Sequence, residues 1–406
     1  MKCRLLLLSS LLVIAQACSN NNVEPDNKPN LRALSSNEIQ VSKSNETFAF
    51  KLFNEVSKSS EDNIFISPIS VSTALGMTLN GAEGTTKDGI LQTIDYGALQ
   101  PADVNEGYKG LSSLLTSMDK KVEFDLANSI WYRNDLTINN DFANTVQTYY
   151  HGKAQGLNFS SPDSKNIINN WVENNTNHKI KNLIEEISSE TVMLLINATY
   201  FKGNWASQFD KSKTKKDLFY KEDGTTAQVD MMTSGSESVL FSEDDSVSMI
   251  DLPYGNGQFS MTILLPKTRL TISEIRENLS SEYFDGLLDK TTKSIRELRM
   301  PKFTLNWKEE LNEPLRNLGM SVAFSDSASF PYLFNNPMSL KISRVTHQSY
   351  IEVNEEGTEA AAATSVEIIM TSPAPSAPIT INRPFIFVIR EKHSKAILFI
   401  GQFLNP

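Results

Sequence analysis

The sequence predicts a single α+β domain, and three observations predict it. Segments with helical periodicity stand mainly in the first part of the chain, short apolar runs bounded by turn residues stand mainly later, and no Gly/Ser/Pro linker or internal repeat divides them. With 406 residues, 40% of them apolar and 21% charged, the chain has an ordinary globular composition that can bury a sizeable core.

The first seventeen residues are read as a signal peptide outside the fold. Lys2 and Arg4 make a basic start, Leu5 to Ile14 an apolar run, and Ala15-Gln16-Ala17 a small-residue cleavage site. The chain is therefore expected to be exported, and the apolar run is too short to anchor it across a bilayer. Cys18 follows at once in a partial lipobox. Lipidation there would make a bacterial lipoprotein of the outer membrane or cell surface, touching the membrane through its lipid alone; plain cleavage would leave the protein periplasmic or secreted. Residues 18–36, polar and rich in Asn and Pro, read as a disordered tether ahead of a domain over 37–406.

Cys3 lies in the removed peptide, so the folded body has no cysteine. Disulfides, thiolate metal sites and a cysteine nucleophile are excluded. Without Lys2 and Arg4, 36 basic residues face 48 acidic ones, a formal charge of −12. Such a chain is a poor partner for nucleic acid, and no activation by glycosaminoglycans is expected.

The folded part then runs as follows. "ETFAFKLFNEVSKS" (Glu46 to Ser59) repeats apolar residues at helical spacing, and "ISVSTALGMTLNGAEG" (Ile69 to Gly84) does the same, closed by Gly81 and Gly84. "GAEGTTK" (Gly81 to Lys87) reads as a helix stop and an ST-rich turn. "TVMLLINATYF" (Thr191 to Phe201) and "SMTILLP" (Ser260 to Pro266) are short apolar runs ending at turn signals, as central strands do, and "YGNG" (Tyr254 to Gly257) is a hairpin turn. "PFIFVIREKHSKAILFIGQF" (Pro384 to Phe403) reads as a hairpin buried on both faces.

An exported hydrolase is the rival reading, and the chain gives it little. None of the four histidines, His151, His178, His347 and His393, stands in HExxH or another paired metal spacing. No G-x-S-x-G elbow occurs, "TSGSES" (Thr233 to Ser238) resembling one only superficially, and "GAEGTTK" lacks the order of a phosphate loop. No cofactor is expected, and the chain is not expected to be an enzyme.

"VNEEGTEAAAATSVEIIMTSPAPSAP" (Val353 to Pro378) mixes propensities. Glu355 to Ala363 suits a helix, Thr364 to Thr371 a strand, and Pro373, Pro375 and Pro378 neither. "IEVNEEGTEAAAAT" (Ile351 to Thr364) resembles the reactive-loop hinge of inhibitory serpins. "NIFISPISVSTALGMTLNGAEGTT", "WVENNTNHKIKNLI", "LLINATYFKGNW", "LPYGNGQFSMTILLP", "MPKF", "LGM" and "NRPFIFVIREKHSKAILFIGQFLNP" resemble family blocks in family order. The resemblance covers essentially everything after the tether. One departure is His178, where the family usually has Gly.

The resemblance implies a serpin fold: three β-sheets, eight or nine helices and an exposed reactive-centre loop, here about 355–381. It also implies an irreversible inhibitor of serine proteases whose cleaved loop inserts into the main sheet as a new strand, trapping the acyl-enzyme. The partner would be a target protease, and the inhibitor a monomer. The alternative is a non-inhibitory serpin that is merely cleaved or serves as a scaffold.

The letters can be held against that mechanism. In a strand, Thr358, Ala360, Ala362, Thr364, Val366, Ile368 and Met370 would face one way, small or apolar throughout; Glu359, Ala361, Ala363, Ser365, Glu367 and Ile369 would face the other. No proline interrupts Gly357 to Thr371. The hinge is thus expected to be Glu355, Glu356, Gly357, Thr358, Glu359, Ala360, Ala361, Ala362, Ala363 and Thr364. Taking Gly357 as the fifteenth residue before the cut, as the family does, places the scissile bond at Thr371-Ser372, with Met370-Thr371 and Ser372-Pro373 as alternatives. Neither Lys nor Arg stands between Glu355 and Asn382. Elastase-, chymotrypsin- or subtilisin-like proteases are therefore expected, with papain-like cysteine proteases a further class. By family position, Ser67, Ser70, Asn197 and His347 form a hydrogen-bonded polar cluster that holds the sheet shut, and Trp205 packs where the loop enters.

Overall fold

The structure is a computed structural model that describes residues 28–29, 31–188, 190–336, 338–358 and 377–406. Nine α-helices occur among the described residues: α1 (Ser36–Ser57), α2 (Pro68–Leu79), α3 (Gly84–Thr93), α4 (Pro101–Ser117), α5 (Asn140–Tyr150), α6 (Pro162–Asn174), α7 (Ile272–Asn278), α8 (Ser281–Leu288) and α9 (Asn312–Leu315). The strands are β1 (Ile64–Ile66), β2 (Val122–Arg133), β3 (Lys153–Leu157), β4 (Met193–Asn204), β5 (Lys215–Tyr220), β6 (Thr226–Glu243), β7 (Val247–Pro253), β8 (Phe259–Pro266), β9 (Thr292–Pro301), β10 (Phe303–Glu310), β11 (Thr346–Val353), β12 (Gly357–Thr358), β13 (Ile379–Thr380), β14 (Phe385–Glu391) and β15 (Ile397–Phe403).

Local chemistry explains the helix starts. Ser35 caps α1 and forms a reciprocal capping box with Glu38, so that helix begins well before its apolar periodicity becomes visible. Pro68 opens α2, where a missing N–H costs nothing, and every residue of α2 is buried, so it shows no polar face. Two sequence expectations change here. Gly84 does not close a helix but opens α3 with φ +55°, and Thr85 to Lys87, expected as a turn, lie inside that helix.

The strands form two hydrogen-bonded sheets. The six-stranded sheet has the order β10-β11-β12-β4-β2-β3 and is called here the large sheet. The other runs β1-β15-β14-β8-β7-β6-β9-β13, with β5 also paired to β6. Two of the three expected sheets therefore run into one another through the long β6, whose pairing with β9 shifts register between Thr233 and Ser236. The C-terminal hairpin β14–β15 is buried along its whole length.

The core fills the space between the sheets with aromatic rings. Phe65 stacks on Phe399 with centroids 4.9 Å apart, and Phe201 meets Tyr254, Phe259 and Phe399 edge to face. Helix α6 covers the opposite face of the large sheet, where Ile168 and Val172 pack with Trp131, Leu194 and Ile196. Past α6 the chain turns sharply: Asn177 and His178 have φ of +47° and +62°. His178 thus holds a left-handed backbone where glycine would be unstrained.

Candidate functional site

The seam between β4 and β11 is where the large sheet meets the unusual C-terminal stretch. β11 ends at Val353, the chain reverses over Asn354 to Glu356, and Gly357 and Thr358 return as β12. Thr358 pairs with Val353 on one side and Gly203 on the other, and Gly357 pairs with Asn204. The first two residues of a strand are therefore already seated between two long neighbours.

Glycine is required there. Gly357 has φ +154°, and a Cβ would run into the carbonyl oxygen of Gly203 and the Cα of Asn204. Thr358 is 2% exposed, and its Oγ1 lies 2.6 Å from the Tyr254 hydroxyl. Tyr254 in turn stacks on Trp205, centroids 4.4 Å apart. Trp205 holds the reversal by two donors: its backbone N–H donates to Glu356 O at 2.9 Å and its Nε1–H to Asn354 O at 3.0 Å.

The first two residues of the expected hinge are buried. Glu355 and Glu356 are 4% and 7% exposed. Lys302 Nζ lies 2.9 Å from Glu355 Oε2, and Thr214 Oγ1–H donates to Glu355 Oε1 at 2.7 Å. Burial pushes the Glu355 carboxyl up, but Thr214 and Lys302 together hold it below its ordinary value. Glu356 is ion-paired with Lys211, and that carboxylate raises the Lys211 amine. Buried carboxylates need such partners, and both glutamates have them.

The polar cluster is also arranged differently from expectation. The Ser67 backbone N–H donates to His347 Nε2 at 3.1 Å, whereas the Ser67 hydroxyl donates to Leu398 O at 2.8 Å. The Asn197 amide donates to Asn128 Oδ1, and the Ser70 hydroxyl has no protein partner among the described residues. Ser70, Asn197 and His347 instead line one small cavity of about 30 Å³, room for a bridging water. Burial pushes the His347 imidazole down to about 3, so it is neutral and accepts the Ser67 N–H.

Glu359, Ala360, Ala361, Ala362, Ala363, Thr364, Met370, Thr371, Ser372 and Cys18 lie outside the described residues. Sequence reasoning missed Tyr254, Lys211, Lys302 and Thr214, each of which grips the hinge from a distant segment. Tyr254 was legible only as part of a hairpin turn; the lysines carried no signal. Among the described residues no group of acidic, His or Cys side chains could hold a metal ion.

Fold and hinge together define a protein whose large sheet takes the start of its own C-terminal loop as a central strand. Residues 43–406 match the family Serpin (serine protease inhibitor), and the chain belongs to that family. It is 32% identical to human Serpin B4 over 391 residues, covering 90% of this chain and 99% of that protein. Among solved structures, it superposes on the thermophilic serpin tengpin in its native state with a TM-score of 0.83 and 30% identity, covering 93% and 97% of the two chains. Human thyroxine-binding globulin, solved with its hormone, gives 0.83 at 29% identity and covers 91% and 100%. The family thus includes a thyroxine-binding globulin, and membership alone does not make a chain an inhibitor.

Proposed function

We propose that this protein is an irreversible suicide-substrate inhibitor of serine proteases. The seated hinge carries the reading: Gly357 and Thr358 already occupy the β4–β11 seam, and the residues that follow continue the alternation a central strand needs. The protease serine attacks the Thr371 carbonyl, the bond to Ser372 breaks, and the Ser372 amine leaves with a proton, forming an ester to Thr371. Strand addition of the kind known for serpins then draws the loop into the seam before water can hydrolyse the ester. The cluster of Ser67, Ser70, Asn197 and His347, beside the seam, resists its opening, and Trp205 frames the point of insertion.

The sequence "IIMTS" and the lack of Lys or Arg in the loop favour elastase-, chymotrypsin- or subtilisin-like targets over trypsin-like ones, whose pocket carries an acid. Export on the N-terminal peptide, with Cys18 lipidated, would place a monomeric inhibitor on a bacterial surface to guard it against foreign proteases. A second reading, a substrate or carrier without trapping, is favoured by the likeness to thyroxine-binding globulin. One gel separates the two. Incubation with pancreatic elastase should give a covalent band that survives denaturant, and the mass of the released C-terminal fragment should start at Ser372. Clean cleavage with no such band would sink the inhibitory reading.

A further inference from the structure

The outer face of the large sheet carries a second concave site that the hinge does not use. A cleft of about 540 Å³ lies between the C-terminal end of α6 and strands β2, β3 and β4, on the opposite flank of β4 from β12. Its size falls in the range of small-ligand sites, about 300–1,000 Å³. Its wall is polar, yet its charges nearly cancel. The lining carries Glu123 and Asp125 against Lys153, and Lys202 pairs with Glu123 at 3.5 Å. A polyanion or a polycation gains nothing from such a balance.

Among the polar side chains of the lining, Asp125 on β2, Asn174 at the end of α6 and His151 at the left-handed cap of α5 face solvent and make no hydrogen bond to the described residues. Partial desolvation by the cleft walls, and then the Glu123 charge, raise the Asp125 carboxyl above its ordinary value although the side chain keeps contact with solvent, so this acid gains by accepting hydrogen bonds from a ligand. Beside them stands the half-buried Trp171, whose ring is fixed edge-on by Trp131 at 6.0 Å and 74°. The Tyr200 hydroxyl, accepting from Asn177 Nδ2 at 2.9 Å, forms part of the floor.

An amide and a carboxylate each span two neighbouring hydroxyls, and a fixed indole offers a flat face to the C–H surface of a pyranose ring. We infer that this cleft binds a neutral saccharide of a few pyranose units. The inference is independent of any inhibitory activity.

The test titrates the full chain with maltohexaose, cellohexaose and the hexamer of N-acetylglucosamine, followed by tryptophan emission and calorimetry. Heparin hexasaccharide serves as the anionic arm. The expected result is saturable binding of at least one neutral probe with Kd below about 1 mM. Asp125→Ala and Asn174→Ala should each weaken that binding about tenfold. Both side chains are exposed, and an unchanged unfolding midpoint checks that the variants fold. The inference is overturned if no neutral probe saturates, if binding survives both substitutions, or if heparin binds more tightly than any neutral probe.

Discussion

Two buried titratable residues pull the stability of this protein in opposite directions with pH. His347 sits buried and neutral on β11 with its pKa pushed down to about 3, well below the unfolded value of about 6.5. Its contribution is complete above about pH 6.5 and is lost as pH falls toward 3, because the unfolded chain takes up a proton that the folded chain refuses. Glu46 on α1 is raised to about 7 by burial first and then by Asp285 and Glu282, against the opposing pull of Lys395 and Arg390. Its contribution is complete below the unfolded value of about 4.5 and is lost as pH rises through 7. The expected outcome is a pair of opposite changes in calorimetric melts between pH 5 and 8. His347→Gln should remove a loss of stability on the acid side, and Glu46→Gln should remove a loss on the alkaline side, each at most about 1.4 kcal/mol per pH unit. Parallel pH profiles for both variants and the parent would refute these assignments.

At the scale of the element, the strand that starts at Gly357 is the one whose behaviour matters. Thr358 points into the interior against Tyr254, so residues of the same parity, Ala360 first among them, would follow it inward if the strand were extended. Ala360→Arg would have to bury a charge with no partner. It should leave cleavage of the loop at its parent rate while the covalent complex on the gel falls at least about tenfold, since burying the charge costs more than the 1.4 kcal/mol that a tenfold change represents. A variant that still trapped elastase at parent yield would show that the strand does not insert in this register. The alternation was legible in the letters because strand periodicity is local. The grip on the strand was not: Thr214, Lys211 and Tyr254 reach Glu355, Glu356 and Thr358 across 141, 145 and 104 residues. Local propensity carries no information about contacts at that separation.

At the scale of the whole molecule, the seam beside β12 is longer than the two residues of that strand that are described. Two residues of β12 occupy a seam bordered by β4 of twelve residues and β11 of eight. Completing that strand would add ladder hydrogen bonds and bury apolar side chains, so cleavage of the loop should raise the unfolding midpoint by at least about 10 °C, measured by calorimetry on intact and elastase-cleaved protein. An unchanged midpoint would mean that the cleaved loop stays outside. The sequence by itself determined the α+β class, the family, the buried C-terminal hairpin and the strand-like alternation after Gly357, because each is written in spacing or in blocks that stand in order. Packing alone set that Glu355 and Glu356 are buried, that Ser70, Asn197 and His347 line a cavity while Ser67 bonds to His347 and Leu398, and that Tyr254 meets Thr358. The reason is that a charge or hydroxyl can be buried only where another element supplies its partner, and which element does so is settled by packing.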